Sequence, residues 1–154
     1  MKTILAAVDF SGASESVVSQ SIDLAQATHG RVVLLTVVQP PVINSEFAAP
    51  LLENYAEITV AAEKAAARNL HAIEQRVQNT GIQTEALQLA GSPVSLIVAE
   101  AAKHAADYIV MGSHGHTAFY DLLVGSTTHG VLHQARCPVV IVPVAGNKNR
   151  GKTS

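Results

Sequence analysis

"VMGSHGHTAFYDLLVGSTTHG", from Val110 to Gly130, sets Gly112, Gly115, Gly125 and Gly130 around a loop rich in polar residues. The apolar run "DYIVM" leads into this loop, and a segment from Ser126 to about Gln134 reads as a helix that leaves it. Glycines let a backbone approach a phosphate closely, while the free amides and positive dipole end of a helix start attract an anion. Ser126, Thr127 and Thr128 add hydroxyl donors. The same residues also suit a tight turn with a capping serine, so spacing alone leaves both readings open.

Outward from that loop, apolar runs and helical stretches alternate along the chain. "TILAAV" ends at Asp9, and Ser11 or Ser14 is placed to cap a helix with Val17, Val18, Ile22 and Ala25 on one face, closed by Gly30. "RVVLLTVV" is continuously apolar, as a central parallel strand covered on both faces should be. Pro40 and Pro41 stop it. An Ala-, Glu- and Arg-rich segment from about Glu53 to Asn79 reads as a long helix, and "IQTEALQL" as a more polar edge strand. Ser92 followed by Pro93 starts a helix that runs to about His104, and "PVVIVPV" closes the series as a last strand. This alternation predicts one doubly wound α/β domain with a parallel sheet and right-handed crossovers. In such sheets ligands sit beyond the carboxyl ends of the strands, where the strand order reverses. The loops after strands are therefore the place to look for function.

Composition sets bounds on what that domain does. A chain of 154 residues that is 48% hydrophobic can bury one substantial core, and we expect a single unit over residues 1–145. Neither an export signal nor an apolar run long enough for membrane insertion is apparent, and the single cysteine, Cys137, cannot form an internal disulfide. A cytoplasmic protein is the expectation. The net charge is −2, yet Lys148, Arg150 and Lys152 crowd the end, so the body is acidic and unsuited to nucleic acid. Residues 146–154 lack apolar periodicity and read as a basic, mobile tail. Gly146, Gly151, Lys152 and Thr153 match the phosphate-loop pattern G-x-x-x-x-G-K-[ST], but the helix that the mechanism needs cannot follow, since only Ser154 remains.

The spacing G-x-x-G, nine residues, then G-[ST], formed by Gly112, Gly115, Gly125 and Ser126, resembles the nucleotide-binding signature of the universal stress protein family. "ILAAVDFS", "AGSPVSLIVAEA", "ADYIVMGSHG" and "GSTTHGVLHQARCPVVIVP" extend the resemblance over the whole chain, in order. It implies a five-stranded parallel sheet in the order 3-2-1-4-5 and, because the glycine motif is complete, the ATP-binding branch. The implied ligand is ATP, or ADP or AMP, with magnesium or manganese on the phosphates. Carried over by position, Asp9 would hydrogen-bond adenosine with Ala7 beside it, Val37 would offer a backbone contact to adenine, and Met111 would line the base pocket. Gly112, His114, Gly115, Gly125, Ser126 and Thr127 would hold ribose and phosphates. Where relatives often carry a basic residue after the second glycine, this chain has His116, whose charge depends on pH near neutrality. The resemblance also implies a homodimer through the last strand, burying Val140 and Val142 or their neighbours, with Pro143 limiting the paired length. A regulatory or sensing role with a protein partner of unknown identity follows from the same likeness.

Other chemistries are less well supported. His129 and His133 stand four apart on one helix face, and His114 and His116 precede them, but no acidic or thiolate ligand is near in sequence, so no metal site is expected. "SHGH" is faintly similar to the histidine motif of nucleotidylyltransferases, which follows the first strand rather than the fourth. The glycine loop holds no Lys or Arg to stabilise a transferring phosphoryl group. A slow ATPase or nucleotidyl-transfer enzyme is thus the alternative to a nucleotide-dependent regulator, and no catalytic residue is assigned.

Overall fold

In the computed structural model, residues 1–40, 49–114 and 124–143 are described, apart from the side chains of 49–53. Nine elements alternate along them: β1 Thr3–Ala7, α1 Ser14–Thr28, β2 Arg31–Val38, α2 Ala49–Gln78, β3 Thr84–Ala90, α3 Pro93–Lys103, β4 Tyr108–Gly112, α4 Ser126–Gln134 and β5 Val139–Val142. The strands form one parallel sheet in the order β3-β2-β1-β4-β5. The order expected from the family resemblance is the order observed.

Side-chain alternation along the strands separates the core into two layers. Ile4, Ala6, Val32, Leu34 and Val110 face α1 and α2, where they meet Val17, Val18, Leu70, Ile73 and Val77. Leu5, Val33, Leu35, Ile109 and Met111 face the opposite side, against Ile97 and Ala101 of α3 and Val131 of α4. Continuous apolar runs such as "RVVLLTVV" are needed because both faces of the central strands are covered.

Three local readings are corrected. Neither Ser11 nor Ser14 is the N-cap of α1: Ala13 holds that position, and the Asp9 carboxylate holds the turn by accepting from the Ser11 N–H at 3.0 Å and the Ser14 hydroxyl at 3.3 Å. The left-handed residue that closes α1 is His29, with φ 50°, not Gly30. Gly30 still closes the helix end by donating its N–H to the Ala25 carbonyl at 2.8 Å, and it also serves close packing, because a Cβ there would lie 2.7 Å from both Ile4 Cδ1 and the Lys2 carbonyl. Finally, α2 begins at Ala49, ahead of the expected Glu53, since Pro50 falls in its first turn, where a missing N–H breaks no helical bond. The expected boundary between residues 1–145 and the tail lies outside the described residues.

Candidate functional site

The strand order reverses between β1 and β4, and beyond their carboxyl ends opens a cleft of about 480 Å³. That volume suits a small organic ligand. Five segments wall the cleft: the β1–α1 turn, the end of β2, the start of α3, the end of β4 and the start of α4. Every one of them ends or follows a strand, or opens a helix.

On the β1 side, the Val8 N–H donates to the Leu35 carbonyl at 2.9 Å as the last rung between β1 and β2. Phe10 then takes a left-handed φ of 60°, which turns the chain and leaves Asp9 exposed at the cleft lip. Backbone hydrogen bonding alternates sides along a parallel strand. Leu35 bonds toward β1, and Val38 accepts from the Gly91 N–H at 3.1 Å on the β3 side. Val37 therefore turns its N–H and C=O toward the β1 side, where β1 has already ended at Ala7. A planar ligand edge with one donor and one acceptor could pair there.

The β4–α4 connection is clamped at its two ends. Ser113 N–H donates to the Val142 carbonyl at 2.9 Å, and Gly125 N–H donates to the Ser113 carbonyl at 2.7 Å. Thr128 Oγ1 donates to the Gly112 carbonyl at 2.8 Å, which seats the first turn of α4 on the end of β4. The helical ladder starts with His129 N–H to the Gly125 carbonyl at 2.9 Å, so the amides of Ser126, Thr127 and Thr128 precede it. These residues line the cleft, and with the helix dipole they favour an anion. Gly112 is required for this approach, because a Cβ there would stand 2.8 Å from Ala13 Cβ. Ser113 Oγ and His114 Nδ1 lie 3.0 Å apart, within hydrogen-bond reach.

Electrostatically the cleft is lightly charged. Among the described lining residues Asp9 is the sole carboxylate, and none is Lys or Arg. A strong charge pair lies instead at the opposite end of the sheet, where Lys2 Nζ meets Asp107 Oδ1 at 2.7 Å. Hydrogen bonds from Lys2 and from the Thr3 N–H hold the Asp107 carboxyl below the usual range, and the same Lys2–Asp107 hydrogen bond raises the Lys2 ammonium. Partial burial pushes the Cys137 thiol up.

Ala7, Asp9, Val37, Met111, Gly112, His114, Gly125, Ser126 and Thr127, all singled out in the sequence, come together around this one cleft. Gly115 and His116 lie outside the described residues. Sequence reasoning missed Gln39, Pro93 and Ile97. Gln39 could have been found by period two, since it follows Val37 on the same face of the chain leaving β2, and Pro93 and Ile97 by their i, i+4 spacing at a helix start. His129 and His133 pack edge to face with ring centroids 4.5 Å apart, and among the described residues no group of three or more His, Cys, Asp or Glu is arranged to hold a metal. No described helix is long and apolar enough to cross a membrane.

Comparison with known proteins adds to this geometry. Universal stress protein A homolog 1 of Coxiella burnetii is 31% identical over 144 residues, covering 92% of this chain and 95% of that protein. The solved structure of MJ0577 from Methanocaldococcus jannaschii superposes with a TM-score of 0.83 at 26% identity, covering 95% of this chain and 98% of its own. A universal stress protein solved in complex with cAMP shares the fold at a TM-score of 0.65 and 22% identity, covering 94% of this chain and 98% of its own. The profile of the universal stress protein family matches residues 1–143, and the chain belongs to that family.

Proposed function

We propose that this protein binds an adenine nucleotide, ATP or else ADP or AMP, and acts as a nucleotide-dependent regulator or sensor in a stress response. The observation that carries the reading is the α4 N-terminus: Gly125, Ser126, Thr127 and Thr128 face Asp9 across a cleft at the strand-order reversal. Phosphates would sit on the α4 amides, with Gly115 and His116 joining from the glycine loop. A magnesium or manganese ion would arrive on the phosphates rather than on a protein site. Ribose hydroxyls would bond Asp9, whose carboxylate the Ser11 amide and Ser14 hydroxyl hold in place. The base would lie over Leu35, Val37, Ile97 and Met111, with its edge toward the Val37 backbone. The complex of a like-folded universal stress protein with cAMP supports an adenine nucleotide in this architecture.

The same cleft argues for retention over turnover, since no Lys or Arg among its described lining residues is present to stabilise charge on a transferring phosphoryl group. Mass analysis of small molecules released from the purified protein should find one adenine nucleotide per chain. Thermal melting should then separate the bases. A ligand at about 100 times its dissociation constant stabilises by about 2.7 kcal/mol, and ATP should raise the melting temperature more than GTP. Equal shifts, or none, would defeat the reading. Multiple turnovers of ATP would favour the slow enzyme instead.

A further inference from the structure

We propose that His129 and His133 of α4 form a surface chelate for a divalent transition metal of the imidazole-binding class, with copper(II) held most tightly and nickel(II) and zinc(II) less so. The site does not depend on the nucleotide reading and is separate from any metal carried on phosphates. The two residues stand four apart on one helix, and their rings lie side by side with centroids 4.5 Å apart and planes 69° apart. Both side chains are exposed. His71 and His104 face carboxylates at 3.5 and 3.3 Å, and His114 lies beside the Ser113 hydroxyl. Among the described residues no hydrogen bond or ion pair engages either ring of the α4 pair, so their nitrogens are available to a ligand.

Packing fixes which way α4 is turned, and so fixes the pair. Thr128 Oγ1 is tied to the Gly112 carbonyl at 2.8 Å, and Val131 is 0% exposed in the core layer with Ile109 and Met111. Gly130 lies against α3, where a Cβ would stand 2.7 Å from Val94 Cγ2. With those positions turned inward, positions 129 and 133 fall together on the outer face of the helix. The backbone thus holds both imidazoles beside one point in solvent before any metal arrives. Once one ring has bound, the second closes as an intramolecular step at high effective concentration.

The donor set selects the metal. Imidazole nitrogen suits zinc, nickel and copper, and affinity rises toward copper(II) along the first-row series. Magnesium and calcium take oxygen ligands and have no claim on the pair. Metal–nitrogen bonds of about 2.0–2.1 Å need one nitrogen of each ring turned to a common point, which rotation of two exposed side chains supplies. Among the described residues no third His, Cys, Asp or Glu joins them, so this is an open two-ligand chelate and not a closed structural centre. The remaining coordination positions are left to water or to a donor from another molecule, which makes the metal exchangeable.

The test titrates the full-length protein, free of nucleotide, with nickel(II) and with copper(II) in a calorimeter, and with magnesium(II) as the oxygen-seeking control. The wild type should take up one nickel(II) per chain, bind copper(II) more tightly and show no comparable magnesium(II) site. His129→Gln and His133→Gln should each weaken nickel(II) by at least as much as removing an outer-shell partner of a metal ligand does, about tenfold, with the metal-free melting temperature unchanged because both side chains are exposed. His71→Gln, which removes an exposed histidine elsewhere, should leave the affinity as it was. His133→Gln/Gln134→His keeps the number of histidines but moves the second one off the shared face, and it should bind as weakly as His133→Gln. No nickel(II) or copper(II) uptake by the wild type would overturn the proposal. So would an equal loss in His71→Gln, or full affinity in His133→Gln/Gln134→His, since either result would mean that histidine number and not the α4 spacing holds the metal.

Discussion

Thr128 Oγ1 donates to the Gly112 carbonyl at 2.8 Å, joining the first turn of α4 to the last residue of β4 across a gap of 16 positions. Thr128 is 3% exposed, so this hydroxyl is part of the core and also positions the anion-facing amides. Replacing Thr128 with Val preserves shape and removes the donor. The half-buried carbonyl then loses its partner at a cost of about 1 kcal/mol, and the melting temperature should fall by a few degrees. Thr128→Ser should restore most of the loss. If Thr128→Val melts like the wild type, the hydroxyl is not what seats α4.

Gly112 answers to the same contact from the other side. A Cβ there would stand 2.8 Å from Ala13 Cβ and 3.2 Å from the His114 carbonyl, neither of which is the flexible end of a long side chain. Gly112→Ala should therefore destabilise by about 1–3 kcal/mol and weaken nucleotide binding as α1 and β4 are pushed apart. At Gly12, in the neighbouring turn, a Cβ would meet nothing within 4 Å. Gly12→Ala should change stability by no more than about 0.5 kcal/mol. Urea unfolding of the two variants checks the contrast.

The Lys2–Asp107 pair predicts a pH dependence at the far end of the sheet. The hydrogen bonds from Lys2 and Thr3 depress the Asp107 pKa in the folded state, so its contribution is present above the ordinary carboxylate value of 3.8 and is lost as pH falls through the depressed folded value. The Lys2 pKa is raised, so its contribution is complete below the ordinary 10.5 and is lost as pH rises through the raised folded value. Lys2 is exposed and Asp107 partly so, and the effect is small. Asp107→Asn should flatten the acid limb of the stability profile and leave mid-range stability little changed; an unaltered acid limb would remove the pair from the account.

Legibility in the sequence follows from which forces are local. β2, α3 and α4 were readable because "RVVLLTVV", Ser92-Pro93 and Gly125-Ser126 carry their own signals of burial and helix start. Period and capping do not set strand order, and the 3-2-1-4-5 arrangement came from family resemblance. Asp9 was visible as the residue after an apolar strand, but its bonds to Ser11 and Ser14 depend on the left-handed turn at Phe10, which no glycine announces. Gly30 was read only in part: its N–H does close α1 on the Ala25 carbonyl, but His29 takes the left-handed conformation, and the need for glycine comes from contact with Ile4, remote in sequence. Gln39 was missed for a related reason, since only the end of β1 at Ala7 opens the space beside it.

β5 lies at the sheet edge, and its ladder geometry makes the proposed homodimer testable residue by residue. Ile109 N–H donates to the Pro138 carbonyl and Ser113 N–H to the Val142 carbonyl, so by alternation Pro138, Val140 and Val142 turn their backbone groups to β4. Val139 and Ile141 turn theirs to the open edge. We propose that two copies meet there antiparallel about a two-fold axis, which pairs both edges and removes an aggregation hazard. Val140 and Val142 contribute to the core layer on the α1 side, so charging them would damage the fold as well as the interface. Ile141 packs against the opposite core layer, so Ile141→Ala serves as the packing control; Ile141→Pro is the sharper variant at the backbone, because proline is tolerated on an edge strand where the lost N–H points outward, and the ladder to β4 keeps its donors and acceptors. Light scattering should find the wild type dimeric at micromolar concentration and Ile141→Pro monomeric with a cooperative melt. A monomeric wild type, or a folded Ile141→Pro dimer, would sink the proposed edge pairing.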